Sequence, residues 1–151
     1  MKDGLLVSCL VGALFLVAGA AAAQAPDKAS QKFITEAIEG NHAEVEMGKL
    51  AQSNGQTDAV KSYGQMLVTD HGAALQKATQ TAQSMNVAAP TGPNKKQKAG
   101  FDKMAKMKGD AFDRMFGQHM VADHKKDIAA YTKASKKKML PVCMRRKLCR
   151  H

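Results

Sequence analysis

Between Ser30 and Ala134, apolar side chains return every three or four positions, the period of a helix that turns one face inward. Breaks in the pattern divide the stretch into four predicted helices. The first runs from Ser30, read as its N-cap, to about Asn54, where Asn54-Gly55 supplies a stop. Thr57 caps a second, from Asp58 to about Met85, which the loop Pro90-Thr91-Gly92-Pro93-Asn94 closes. A third spans about Lys95 to Lys108, and beyond Gly109 a fourth runs from Asp110 to about Ala134. With no alternating strand pattern and no long Gly/Ser linker, the fold class is all-α: one helical bundle over residues 30–135.

Advancing 100° per residue places the apolar faces and shows which polar residues interrupt them. In the first helix Phe33, Ile34, Ala37, Ile38, Val45, Gly48 and Ala51 share a side, with Glu44 near its middle and His42 and Glu46 pointing away. In the second, Val60, Tyr63, Leu67, Ala74, Ala78 and Met85 form the stripe, with His71 at its centre and Asp70 on its edge. In the fourth, Phe112, Phe116, Met120, Ile128 and Tyr131 form it, with Asp113 and His124 inside. The second and fourth helices also echo each other. Met66-Leu67-Val68-Thr69-Asp70-His71 and His119-Met120-Val121-Ala122-Asp123-His124 share Val-x-Asp-His, as two related hairpins would.

Length and composition narrow the class without changing it. At 151 residues the chain holds one small domain, and 5% aromatic content with no Trp and ten Met suits an Ala- and Met-rich bundle. The net charge of +10 is unevenly spread: residues 26–135 carry 15 basic and 12 acidic side chains, net +3, whereas residues 136–151 add +7 with no acid. The body is therefore close to neutral. The basic tail of Lys136, Lys137, Lys138, Arg145, Arg146, Lys147 and Arg150 is the one feature suited to an anionic membrane surface; nucleic acid is not expected. Its bland alternative is a solvated, disordered end.

The N-terminus has the order of a secretory signal: Lys2, an apolar run from Leu5 to Val17, then small residues from Ala18 to Ala25. Ala21-Ala22-Ala23 offers a cleavage site before Gln24, which makes residues 1–23 the signal peptide; a retained anchor helix is the alternative. Leu6-Val7-Ser8-Cys9 is a poor lipoprotein box, because the apolar run follows Cys9. The other two Cys, Cys143 and Cys149, lie in the tail, so the bundle cannot depend on a disulfide. Export to the periplasm or cell envelope is the expected location.

Phe33 through Ala51, including Ala43-Glu44-Val45-Glu46-Met47-Gly48-Lys49-Leu50-Ala51, then Asp70-His71, Gly109-Asp110-Ala111-Phe112-Asp113-Arg114 and Ala122-Asp123-His124, resemble a bacterial family catalogued as domain of unknown function 4142. The resemblance covers about residues 31–135. It implies an exported antiparallel bundle of the ferritin-like class, often labelled an outer-membrane protein, with no settled biochemical role. The family pattern ends in a further helix with a Pro-Thr-Leu-x-x-His type motif. Here Met139-Leu140-Pro141-Val142-Cys143-Met144 and the residues after them show neither motif nor stripe, so the expected bundle lacks its usual last helix. The break at residue 136 motivates the hypothesis of a frameshifted C-terminus, which resequencing the coding region decides. A bundle without its last helix exposes apolar faces and favours self-association.

The candidate chemistry is a metal site inside the bundle, since carboxylates and imidazoles from facing helices are how such folds hold iron or manganese. Glu44 lies 12 residues before Gln56 and His71 lies 15 after it, a height mismatch of about 4 to 5 Å, so the two side chains can meet. Asp70 stands beside them, and Asp113, Asp123 and His124 make a second candidate cluster, although Asp113 and His124 are about 16 Å apart along one helix. The di-iron signature of inward Glu-x-x-His pairs is absent, the single match Glu39-x-x-His42 pointing away. Met115/His119 and Met120/His124 at i,i+4 invite copper, although Met at helical spacing is ordinarily core filler. The competing reading is a set of buried polar groups that satisfy one another, Arg114 or the backbone.

No Gly-x-Ser-x-Gly, His-Glu-x-x-His or phosphate loop occurs, so no enzyme is expected. The sequence thus predicts a non-enzymatic binding or structural module of the cell envelope, with an envelope protein or a second copy as partner and no assured cofactor. The alternative is a metal-binding or metal-dependent redox bundle taking iron, manganese or copper.

Overall fold

The computed structural model describes residues 26–137; residues 1–23, expected to be a signal peptide, the tail residues Lys138, Arg145, Arg146, Lys147 and Arg150, and all three Cys lie outside them. The described chain forms α1 (Lys28–Asn54), α2 (Asp58–Ser84), α3 (Lys95–Met104) and α4 (Gly109–Lys136), with no strand among the described residues. It is an all-α helical bundle.

Local chemistry sets each boundary. Asp27, one turn earlier than the expected Ser30, caps α1: its carboxylate accepts from the Ser30 N–H at 2.9 Å and from the Ser30 hydroxyl at 3.0 Å, which pulls Ser30 into the first turn. Thr57 caps α2 as expected, and Asn94 with Gln97 closes a reciprocal capping box at the start of α3. That helix ends at Met104 instead of Lys108. The buried Asn54 amide donates to the Ala105 and Met107 carbonyls at 3.3 and 2.9 Å, and so satisfies from α1 the oxygens that a longer helix would have used. Gly109, at φ +62°, turns the chain into α4 through a left-handed conformation that glycine alone adopts without strain.

Contacts between helices give their directions. Gly48 meets Gly64 and Asn41 meets His71, so α1 and α2 are antiparallel. Phe33 packs edge-on against Tyr131 while Glu44 faces His124, so α1 and α4 are antiparallel as well. Tyr63–Phe116 and His71–His124 then make α2 and α4 parallel neighbours, joined by the crossover that contains α3. The α1–α2 hairpin is close-packed: a Cβ at Gly64 would stand 2.6 Å from the Gly48 carbonyl oxygen and 2.8 Å from Ala51 Cβ.

The core is divided in two. Met47, Leu50, Ala51, Leu67, Met104, Phe112, Phe116 and Met120 form the larger cluster, and Ile34, Ile38, Ala78 and Ala82 the smaller. On α1 the two are separated by Asn41 and Glu44, both buried. Ile128, expected in the stripe of α4, is 65% exposed. The inward line of α4 passes through Phe112, Phe116 and Met120 to Ala134, with the half-buried Asp127 and Tyr131 between them; Ile128 lies 100° round from Asp127, on the side where no described helix covers it. Val121, two turns earlier on that side, is 56% exposed.

Candidate metal centre

Glu44 of α1, His71 of α2 and His124 of α4 converge in the polar band between the two apolar clusters. Each offers one ligand atom, and the three atoms lie within 4.8 Å of one another. No other grouping of three or more His, Cys, Asp and Glu side chains among the described residues reaches that spacing. Side-chain packing at the level of the site is tight: the two imidazole rings stand edge to face with centroids 5.7 Å apart.

Glu44 is 1% exposed, and neither carboxylate oxygen has a hydrogen-bond partner. Its nearest ionisable neighbour is His124, whose Nδ1 stands 3.7 Å from Oε1. Burial pushes the Glu44 carboxyl up to about 7, against the pull of His124 and with the help of Asp123 and Asp127. Burial lowers His71 and His124 lowers it further, offset by Asp70 and Asp123, so His71 favours the neutral form that coordinates metals. The same desolvation raises Asp127 and the Tyr63 phenol, Asp123 adding to the first and Glu44 to the second.

The imidazoles are held from behind. Asn41, buried one turn before Glu44, donates its amide to the Ala37 carbonyl at 2.7 Å, which turns its Oδ1 toward His71 Nδ1, 3.0 Å away. His71 therefore carries its proton on Nδ1 and keeps a lone pair on Nε2. His124 Nδ1, the nitrogen 3.7 Å from Glu44 Oε1, lies 2.9 Å from the Met120 carbonyl oxygen, a bond that orients the ring. A metal-ligating histidine is ordinarily fixed by a bond from its other nitrogen, as Asn41 fixes His71. Metal bonds of about 2.1 Å put tetrahedral donors about 3.4 Å apart, so these three atoms need draw together by no more than about 1.4 Å. Two imidazole nitrogens and one carboxylate suit iron(II), manganese(II) or zinc(II) better than the all-oxygen preference of calcium or magnesium.

The remaining candidates fall elsewhere. His124 joins Glu44 and His71, and the separate cluster of Asp113, Asp123 and His124 does not form. Asp113 instead accepts from the Gln56 N–H at 2.9 Å, the Thr57 N–H at 3.0 Å and the Thr57 hydroxyl at 2.8 Å, bonds that hold its carboxyl below the usual range and tie α4 to the α1–α2 turn. Asp70 is exposed beside His71. Asp123 borders a cleft with Glu46, Gln97, Phe101 and His119, and pairs with Lys126 at 3.8 Å. Glu46, in that cleft, is half-buried instead of pointing into solvent, and His42 is half-buried as well. Met115 and Met120 pack in or against the larger apolar cluster, and Arg114 pairs with Asp110 on the surface. Lys136 ends α4 and Lys137 caps it.

Sequence reasoning missed Asn41, which a polar residue one turn from an inward Glu had signalled. It also missed that the echoed His71 and His124 would meet: parallel packing of α2 and α4 sets the two Val-x-Asp-His segments side by side. Among the described residues no helix is long and apolar enough to cross a membrane. A family model described as Domain of unknown function (DUF4142) matches residues 16–140. No curated protein and no solved structure matches the chain.

Proposed function

Since the chain belongs to the DUF4142 family, whose description assigns no role, we propose from its own side chains that it is a cell-envelope binding module whose ligand is a divalent transition-metal ion. Glu44, His71 and His124 are the ligands, and iron or manganese the ions that best match them. One observation carries the reading: a fully buried carboxylate whose two oxygens have no hydrogen-bond partner stands beside two imidazoles, His71 oriented by Asn41 and His124 by the Met120 carbonyl. A buried carboxylate left unpaired costs several kcal/mol, and a cation relieves that cost. Copper is served less well, because Met120 belongs to the core and Met115 packs against it. Export is supported by Lys2, the run Leu5 to Val17 and Ala21-Ala22-Ala23.

The second reading is a structural bundle with a polar band and no ion, favoured by a carboxyl raised to about 7, which a proton neutralises near neutrality. Metal analysis of the chain produced with its N-terminal segment and recovered from the periplasm separates the two. The metal reading expects about one equivalent of iron or manganese, lost in the Glu44→Ala/His71→Ala double variant. A metal-free protein that also resists loading supports the second.

A further inference from the structure

Resting on the metal reading, we infer that the bound ion keeps a coordination position on its histidine side that takes a small uncharged ligand and discriminates against anions. Three protein donors leave an ion of four or more ligands incomplete, and no fourth Asp, Glu, His or Cys among the described residues joins the group. The centre is wet on its histidine side. Glu44 is 1% exposed, whereas His71 and His124 are both half-buried and the His124 side chain is 38% exposed, so a ligand from solvent arrives past α2 or α4 and not through α1.

The charge around that side is negative. Asp127 reaches toward α1, its Oδ2 3.9 Å from where a Cβ would stand on Gly40, one turn from Glu44. Asp123 is the residue before His124, with a side chain 20% exposed, and Asp70 is the residue before His71. Lys126 is the cation paired with Asp123, and its side chain is 72% exposed, where water screens it. Glu44 and a divalent ion together carry +1, which three neighbouring carboxylates outweigh. At an effective dielectric of about 20, one unit charge within about 12 Å changes an anion's affinity roughly tenfold.

The test loads the full chain with cobalt(II), whose visible bands report coordination number, and titrates it at pH 8 with imidazole as the uncharged probe and azide as the anion. The expected result is a spectral change with imidazole, at least about tenfold weaker binding of azide, and azide binding strengthened about tenfold in Asp123→Asn/Asp127→Asn. Asp70→Asn, an exposed change that leaves the packed band intact, is expected to move azide in the same direction, so the inference does not hang on the buried variant folding. Cobalt uptake without a response to either probe would overturn the open position. Equal binding of both probes, unchanged in all variants, would overturn the charge selection. Failure to take up cobalt at all is a different outcome, which removes the metal reading and this inference with it.

Discussion

At the scale of single residues, Glu44 is where the fold works against ordinary stability. Its carboxyl is raised from 4.5 to about 7, so the ion-free folded chain holds a proton that the unfolded chain releases. The group's contribution is fully favourable below about pH 4.5, declines as the pH rises toward 7, and is flat above. A difference of that size is worth on the order of 3 kcal/mol. Urea denaturation of the metal-stripped protein is therefore expected to show lower stability at pH 8 than at pH 5. Glu44→Gln removes that slope and is the more stable of the two at pH 8. Asn41 tests the second layer of the site: Asn41→Ala frees His71 to change tautomer and is expected to lower metal affinity about 10- to 100-fold, measured by competition with a chelating dye.

At the scale of elements, the α1–α2 hairpin depends on glycine at a crossing and α4 on a carboxylate at a turn. Gly64→Ala places a methyl group 2.6 Å from a backbone oxygen that has no rotamer to yield, so a loss of about 1–3 kcal/mol is expected in the urea midpoint. Gly72, on the same helix with open space around it, is the control: alanine there is expected to stabilise slightly through helix propensity. Asp113 explains why a polar residue interrupts the apolar face of α4. It replaces missing partners for the N–H groups of the α1–α2 turn, and its position fixes the height at which His124 meets Glu44.

At the scale of the molecule, the division of the core places a polar band across three helices, with apolar packing above and below that excludes water from Glu44. Such a band is tolerated only where its groups are paired or bind something. The outer side of α4, with Val121 and Ile128 exposed, contributes little to that packing. Ile128→Lys is expected to change stability by no more than about 0.5 kcal/mol. If the chain self-associates through this side, the same substitution shifts its sedimentation toward the monomer.

Four helices, the Thr57 cap and most of the core were legible in the sequence, because helical period, an Asn-Gly stop and a Thr start are local chemistry that a short window contains; the Asp27 cap, the capping box of Asn94 and Gln97 and the end of α3 at Met104 were not. Glu44 and His71 were legible as a pair because a hairpin counts residues outward from its turn. What only the tertiary structure decided was the third member. Whether His124 stands with Asp113 or with His71 depends on α4 lying parallel to α2 across a crossover, and on the Asp113 contact that sets its height; neither is written in any one helix's periodicity. Ile128 was misjudged for the same reason, since a stripe shows which side of a helix is apolar but not how much of it a neighbour covers.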